Sequence, residues 1–515
     1  MQHFPAFLIL CLFLPSPLWA KATTYVWPIS NSATQDPMNT SFGPRINNSR
    51  WDMHDGVDLP GECGTEVHAV ADGTVIGFGS AEPPRWNSRH VVLKVNDATR
   101  GEVYVYYLHL QSIADGLKKD VQVKRGPKLG DDGATYCHLH LEFRQGNSEQ
   151  SSSRHPLLFL PYEDTDNLTA PANPRFNRQA NGAMAARLNF SLPSKKEGDL
   201  SRVEVDIMNG STMLQTRRVD LNDKTTINEG NSDDLAFVND IAVEGYQTSN
   251  MAADNRTDLQ YGIVLRNLPG NCDRLAARVY DLAGHSKASE TIAVPNQAAV
   301  TYNLTFEDGR DVPTDWTKRT STTGSGTTIA NDATLALAGT HSFRATDESN
   351  TESGSQQAAI ERGLPAGRFE WRVGGWVRPD KLELPVDKQA YLLHFLNQAS
   401  TPLAAAARLR RTGDSIYAGI AGKKWDGSTG GISSAETIDT GRWRYWMLRL
   451  LRVGTREATA VLYFDNGNSD SEVARYNWDS TVAEPVGIRL GIGQSFSGVK
   501  AVLNLDEVEV TESTF

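Results

Sequence analysis

The sequence predicts a mainly β protein built from several domains. Short apolar runs that alternate with polar residues recur along most of the 515 residues, and turns rich in Gly, Asp and Asn separate them. Helical periodicity is scarce, and a chain of this length is long enough for two to four domains. We therefore expect an antiparallel β domain in residues 23–163, a β-sandwich in residues 164–300 and a β jelly roll in residues 301–515.

Residues 1–22 have the features of a secretory signal peptide. An almost wholly apolar stretch from Phe4 to Leu14 precedes two prolines, and small residues around Ala20 offer a cleavage site. The stretch is shorter than the roughly 20 residues that span a bilayer. Cys11 lacks the preceding small residues that lipid attachment requires. The mature chain is therefore expected to be extracytoplasmic, secreted or periplasmic, without a membrane span.

The charge of the chain restricts its partners. The formal net charge is -11 at pH 7, and the isoelectric point is about 5.5. An acidic chain argues against nucleic acid as the main partner and against electrostatic attachment to acidic polymers. Binding to an anionic cell-wall polymer would have to rest on shape and hydrogen bonds.

The strongest chemical signal lies in a strand predicted for residues 136–143. Alternation divides this strand into an apolar and a polar face, and the polar face carries two imidazoles two residues apart. The apolar face holds Leu139, Leu141 and Phe143, and the polar face holds His138, His140 and Glu142. Neutral imidazole is a common ligand for transition metals. The strand therefore predicts a metal site if further ligands lie upstream.

Three upstream residues offer such ligands. His54 and Asp58 flank Gly56 in a predicted loop that enters a strand, and His109 ends an alternating run. A catalytic zinc takes three protein ligands and leaves a position for water. With His138 and His140 there are five candidates for three positions, and spacing alone does not choose among them.

These segments together resemble the M23 family of zinc metallopeptidases, also called the LytM or lysostaphin-like family, over residues 40–145. The resemblance is specific because three separated motifs agree in order and type. The motifs are His54-Asp55-Gly56-Val57-Asp58, Tyr107-Leu108-His109-Leu110 and His138-Leu139-His140-Leu141-Glu142, preceded by Phe42-Gly43-Pro44-Arg45.

The resemblance implies a zinc metalloendopeptidase. It implies Zn²⁺ ligands at His54, Asp58 and His140, with His109 and His138 as catalytic residues that act on a zinc-activated water. The family most often hydrolyses the peptide cross-links of bacterial peptidoglycan. Some relatives cut Gly-rich proteins, and others are non-catalytic wall-binding proteins or amidase activators that have lost ligands. All five positions are intact here, which favours an enzyme.

Other polar residues in this region have open or minor roles. Glu142 continues the histidine face, where it would either orient a ligand imidazole or be a surface carboxylate. Three further histidines match no motif position and are expected at the surface or in packing. They are His68, His90 and His155.

Export would place the remaining cysteines in an oxidising compartment. Cys63 and Cys137 adjoin the two ligand segments, and some M23 relatives carry cysteines at these places, so we expect a disulfide between them. A Cys-rich structural zinc is the alternative, but the Cys-x-x-Cys spacing that such sites use is absent. Cys272 is then left over, with no predicted partner.

The rest of the chain predicts two further β modules. Residues 162–175 have the composition of a linker, and the hairpin at residues 281–285 resembles fibronectin- or immunoglobulin-like sandwiches. The region from Thr301 resembles carbohydrate-binding or laminin-G-like jelly rolls, in which the first and last strands pair. A spacer or a lid over the site is the alternative function for this region.

Two kinds of site are predicted in the last region. Its tryptophans would be sugar platforms or core residues, and Trp425 is the best platform because its neighbours are polar. The tryptophans of this region are Trp371, Trp376, Trp425, Trp443, Trp446 and Trp478. Glu307 and Asp506 would bind Ca²⁺ or be solvated carboxylates.

Overall fold

A computed structural model describes residues 25–512 except 33, 35, 37, 48–49, 81–88, 134–136, 166–167, 193–197, 225–234, 247–257, 297, 321–325, 349–355, 398–403, 424–428, 454, 456–457, 466–470, 478–483 and 496–497. The described residues form β-strands and two short 3₁₀-helices but no α-helix, which confirms the mainly β fold. None of their helices has the length and apolarity to cross a membrane. The predicted signal peptide, Trp425 and Trp478 lie outside the described residues.

The first region contains eleven strands among the described residues. They are β1 Gly43–Asn47, β2 Arg50–His54, β3 Val57–Pro60, β4 Glu66–His68, β5 Gly73–Ser80, β6 Arg89–Asp97, β7 Gly101–Ile113, β8 Gln122–Val123, β9 Lys128–Asp132, β10 His138–Gln145 and β11 Ser153–Arg154. The 3₁₀-helices are Gln150–Ser152 and Pro156–Leu158. Strands β1 and β2 form a separate hairpin, and the others form one sheet with the order β11-β10-β7-β6-β5-β8, to which β3, β4 and β9 attach.

Strand β10 is the axis of this sheet. It pairs antiparallel with β7 and β3, so that His140 stands directly opposite Asp58 on one side and Leu108 on the other. Leu139 and Leu141 are fully buried in the core beneath, as the alternating pattern predicts. The fold therefore brings the histidine face of β10 next to the strand that carries Asp58.

The first and last segments of the first region pack together and close its core. Tyr25 and Trp27, which precede the first strand, are buried in the same core as β10. The Trp27 Nε1 donates a hydrogen bond to the Pro161 carbonyl at 2.6 Å. Phe159 packs against Tyr25, so the segment after residue 155 packs back on this region.

The second region is a two-sheet sandwich. Its strands are β12 Ala172–Arg178, β13 Met184–Leu192, β14 Leu200–Asn209, β15 Thr212–Asp220, β16 Ile241–Gly245, β17 Leu259–Leu268, β18 Arg274–Asp281, β19 Ser286–Ala288 and β20 Ile292–Ala293. The sheets have the orders β12-β13-β17-β16 and β15-β14-β18-β19, with β20 also on β18. The predicted linker is shorter than expected, because its end already pairs in β12 and Leu168 is buried in the sandwich core.

The third region is a larger two-sheet sandwich. Its strands are β21 Thr301–Leu304, β22 Thr317–Thr320, β23 Thr327–Asp332, β24 Ser342–Asp347, β25 Gln356–Gly363, β26 Trp371–Glu383, β27 Gln389–Leu396, β28 Ala405–Thr412, β29 Ser415–Lys423, β30 Thr429–Thr437, β31 Arg444–Leu451, β32 Thr459–Phe464, β33 Glu472–Asn477, β34 Gly487–Ser495 and β35 Lys500–Glu512. One sheet has the order β23-β24-β35-β26-β31-β32-β33, and the other has the order β22-β25-β34-β27-β28-β29-β30. The first strand, β21, pairs with the last, β35, as expected for the predicted jelly roll.

The side chains singled out in this region fall into two groups. Trp371 and Trp446 are core residues, at 0% and 1% exposure, whereas Trp376 and Trp443 are partly exposed. The Glu307 carboxylate accepts hydrogen bonds from the backbone N–H groups of residues 340 and 341. The Asp506 carboxylate accepts hydrogen bonds from those of residues 337 and 338. Among the described residues, neither carboxylate belongs to a group that could hold a metal, so the predicted Ca²⁺ site has no support.

Candidate metal centre

Three strands bring one carboxylate and two imidazoles to a single point. His54 is the last residue of β2, Asp58 lies in β3 and His140 lies in β10, and all three are buried. The His140 Nδ1 lies 3.0 Å from the His54 Nε2 and 2.9 Å from the Asp58 Oδ1. The His54 Nε2 lies 3.2 Å from the same Oδ1. The three candidate ligand atoms therefore surround one small space.

Hydrogen bonds on the outer side of each ring fix the tautomers. The His54 Nδ1 donates to the Ser41 carbonyl at 2.8 Å, and the His140 Nε2 donates to the Glu142 Oε1 at 3.0 Å. In a neutral imidazole the other nitrogen then carries a lone pair. With both rings neutral, two lone pairs and a carboxylate oxygen would face one another, an arrangement that a cation stabilises. In the absence of a metal ion, a proton on the His140 Nδ1 takes this place and is shared with Asp58.

The donor set fits zinc. Two imidazole nitrogens and one carboxylate oxygen are three of the ligand types that catalytic zinc sites use. Ligands at zinc bond lengths of about 2.0–2.1 Å in a tetrahedron stand about 3.3 Å apart, close to the separations of 2.9–3.2 Å found here. Without an ion, the hydrogen bonds of His140 to Asp58 and Glu142 outweigh burial and raise the pKa of His140 to about 9.

The second oxygen of Asp58 is held from the opposite side. The Arg45 Nη1 lies 3.3 Å from the Asp58 Oδ2, and the Thr40 hydroxyl donates to the same oxygen. Burial alone would raise the pKa of Asp58, but the adjacent His54 and His140 hold it well below its usual value. Arg45 belongs to the Phe-Gly-x-Arg segment noted in the sequence. Thr40 carried no signal, because it lies just before the first motif in a stretch without apolar pattern.

Glu142 lies behind His140 rather than at the surface. Its Oε2 accepts a hydrogen bond from the Arg144 Nε at 2.9 Å, and the guanidinium stacks 3.8 Å above the Tyr106 ring. Burial would raise the pKa of Glu142, but the hydrogen bonds from His140 and Arg144 lower it to about 2. The carboxylate is therefore ionised and aligned to orient the His140 ring.

His109 and His138 stand beside the three candidate ligands. The His109 ring centre lies 4.9 Å from that of His138 and 5.8 Å from that of His140. The His138 Nε2 is 3.7 Å from the Asp58 Oδ1, longer than the corresponding distances of His54 and His140. Burial lowers the pKa of His109 to about 3, helped by the neighbouring imidazoles, so His109 is neutral near pH 7.

The backbone at these two histidines is unusual. His109 has a φ of 68°, and Cys137, immediately before His138, has a φ of 50°. Residues other than glycine rarely adopt this left-handed region, and strained backbone of this kind recurs at functional sites. A shift of register in β7, just after His109, accompanies the turn.

Gly56 and Cys63, in and just after the first motif, each have a structural role. A Cβ on Gly56 would meet the Leu141 backbone, with its carbonyl carbon at 2.9 Å, so the loop can lie against β10 only without a side chain. Cys63 and Cys137 form the predicted disulfide, which joins the chain after β3 to the start of β10. Cys272 is a half-buried thiol outside this bond.

The three histidines outside the motifs lie away from the cluster. The His68 Nδ1 donates to the Gly126 carbonyl at 2.8 Å, and His90 is partly exposed. His155 is fully buried, and its Nε2 donates to the Gly198 carbonyl at 2.9 Å. His155 is therefore a packing residue that links the first two regions.

A second group of ligating side chains lies at the junction of the first two regions. The His285 Nδ1 is 2.6 Å from the Asp164 Oδ2 and 3.1 Å from the Asp281 Oδ2. One imidazole between two carboxylates is explained by ordinary ion pairing, and the His285 side chain is 46% exposed.

Comparisons with known proteins agree with the motifs. Residues 52–152 match the sequence profile of Peptidase family M23. Among solved structures, the catalytic domain of the antimicrobial peptidase lysostaphin from Staphylococcus simulans is 24% identical over 23% of this chain and 86% of that chain, with a TM-score of 0.20. LytU is 22% identical over 24% of this chain and 81% of that chain, with a TM-score of 0.21.

Another match spans more of this chain. Cellulose induced protein Cip1 is 16% identical over 42% of this chain and 98% of that chain, with a TM-score of 0.32. No curated protein matches the chain. The profile match covers all of the candidate ligands, and we conclude that the segment of residues 52–152 belongs to peptidase family M23.

Proposed function

We propose that this protein is an extracytoplasmic zinc metalloendopeptidase that hydrolyses the peptide cross-links of bacterial peptidoglycan. The observation that carries the proposal is the meeting of the His54, Asp58 and His140 ligand atoms, with two further imidazoles beside them. We assign these three residues as the zinc ligands and His109 and His138 as catalytic residues. Family membership supports a peptide substrate.

A zinc ion held by these ligands would polarise the scissile carbonyl and favour deprotonation of the attacking water. The side chains have separate tasks around it. Glu142 keeps the His140 Nδ1 available as a lone-pair donor, and Arg45 together with Thr40 turns the Asp58 Oδ1 toward the histidines.

The two remaining imidazoles would act on the substrate and the water. Because the pKa of His109 is about 3, its ring is a weak proton acceptor at pH 7 and a good neutral N–H donor. We therefore assign His109 to stabilise the developing oxyanion and His138 to orient the attacking water.

Export and glycan binding complete the proposal. Residues 1–22 would direct export, and the Cys63–Cys137 disulfide is typical of an oxidising compartment. The third region would hold the enzyme on a glycan. The partly exposed Trp443 lines a pocket of about 330 Å³ together with Asp439, Arg442 and Asp465, which offers a ring face and hydrogen-bonding groups.

Digestion of purified peptidoglycan sacculi, with mass analysis of the released fragments, tests the activity. The wild type should release peptide fragments, and His109→Ala should retain zinc while losing about 10²–10³ in rate, typical for loss of one oxyanion donor. His90→Ala, a partly exposed histidine outside the cluster, is the matched control and should keep the wild-type rate. An unchanged rate in His109→Ala would contradict its role. If sacculi stay intact while Gly-rich peptides are cut, the substrate class is wrong.

A further inference from the structure

The hairpin that carries His54 is built on the second region. Strands β1 and β2 form their own two-stranded sheet, and Trp51 and Met53 are buried in the core of the middle sandwich. The Trp51 Nε1 donates to the Val243 carbonyl of β16 at 3.0 Å. The position of His54, at the end of β2, is therefore set by packing against the sandwich.

One chain of contacts runs from the sandwich to the His54 ring. The Ser41 carbonyl accepts the His54 Nδ1–H, and the Ser41 hydroxyl lies 3.2 Å from the Tyr261 hydroxyl of β17. Ser41 and Tyr261 are both buried. A Cβ on Gly198 of the sandwich would collide with the Ser41 side chain, which shows how closely the two regions fit here. The sandwich thus fixes the carbonyl that orients a candidate ligand.

A second chain of contacts reaches the residue after His54. The Asp55 carboxylate forms an ion pair with the Lys224 Nζ, and the Gln150 amide also donates to this carboxylate. The side chains of Asp55 and Lys224 are only 8% and 2% exposed. The Lys224 backbone N–H donates to the Ser153 carbonyl at 3.2 Å, so the lysine is itself anchored on the first region.

Burial makes this ion pair a strong restraint. Removing one partner of a buried pair leaves the other charge desolvated and uncompensated, which strongly destabilises the surrounding structure. Asp55 lies between His54 and Gly56, in the short loop that connects two candidate ligands. A shift of this loop would move His54 relative to Asp58. Mutation of residues that orient a metal ligand typically changes metal affinity or activity by about 10–100-fold, and we expect the same range for a residue that holds the loop between two ligands.

We propose that the middle sandwich is an integral part of the metal centre, with Lys224 and Tyr261 as positioning residues for the loop of residues 54–58. Neither residue belongs to the M23 segment of residues 52–152. The activity readout of this proposal rests on the proposed function. The zinc-affinity and hydrogen-exchange readouts do not depend on cleavage.

The test compares full-length variants. Lys224→Met removes the charge and keeps most of the stem, and it should weaken zinc binding by about 10–100-fold in a competition titration with a chelator. Hydrogen exchange in the metal-free protein should accelerate in peptides covering residues 54–60. Arg266→Met is the matched control, because Arg266 forms a half-exposed ion pair with Asp240 in the same sandwich at 2.7 Å.

Two further variants separate positioning from general destabilisation. The double variant Asp55→Asn with Lys224→Met removes both charges and should recover most of the zinc affinity lost in Lys224→Met. Tyr261→Phe deletes one hydroxyl and should weaken zinc binding by a smaller factor, with kcat falling more than KM changes. If Lys224→Met has the same zinc affinity and the same hydrogen exchange as the wild type and as the control Arg266→Met, the proposal is wrong. A wild type that binds zinc but cleaves no peptide refutes the proposed function alone.

Discussion

Loss of the Cys63–Cys137 disulfide should destabilise the strand that carries the histidines. The two cysteines are 74 residues apart in sequence, and the bond adjoins β10 directly. The chain-entropy relation for a closed loop of this length gives about 4 kcal/mol at 25 °C. The double variant Cys63→Ser with Cys137→Ser leaves no unpaired thiol at the site, so the measured change reports the bond itself.

Native-state hydrogen exchange of peptides from β10 measures this change. A loss of about 4 kcal/mol should accelerate the slowest amides of His138–Gln145 by roughly a thousandfold in the regime where exchange follows the opening equilibrium. Cys272→Ser should leave these amides unchanged, because Cys272 lies in the second region outside the bond. Acceleration of less than tenfold in the double variant would refute the loop-closure reasoning for this bond.

Three other perturbations have defined outcomes. Glu142→Gln removes the charge behind His140 and should weaken zinc binding by about 10–100-fold in a chelator competition, and equal affinity would contradict its orienting role. Gly56→Ala forces a Cβ into the Leu141 backbone, so the free energy of unfolding should fall by about 1–3 kcal/mol and zinc binding should weaken with it. Burial lowers the pKa of His394 from 6.5 to about 3, so the unfolded chain binds a proton before the folded one does, and stability should fall as pH falls from 6.5 toward 3. Between pH 7 and pH 5, the free energy of unfolding of His394→Phe should therefore fall by about 2 kcal/mol less than that of the wild type, as measured by denaturant unfolding. Equal decreases in the two proteins would contradict the lowered pKa of His394.

The local pattern of the sequence was sufficient to predict the two faces of β10. Its period-two alternation predicted which side chains enter the core and which face the site, and Leu139 and His140 lie accordingly. The disulfide was also predictable, because its cysteines adjoin the ligand segments. These features depend on residues close in sequence to the motifs, where alternation and turn residues carry strong information.

The sequence did not reveal the residues that orient the candidate ligands from outside. Thr40, Ser41 and Lys224 are ordinary polar residues in stretches without alternation, and their roles arise from contacts between distant segments. The burial of Trp27 was missed for the same reason, since an isolated aromatic residue in a polar stretch does not indicate which core will receive it. Long-range pairing of this kind leaves no periodic signal.

The motif therefore marks the chemistry but does not delimit the folding unit that supports it. The resemblance covers residues 40–145, yet Trp27 lies in the core beneath β10, and Trp51 is enclosed by the next sandwich. An excised motif segment would expose Trp51 to water and leave Asp55 without its lysine. Each of these losses destabilises the short stretch from His54 to Asp58, where two candidate ligands depend on one loop. The second region thus serves as structural support for the site as well as the link to the third region.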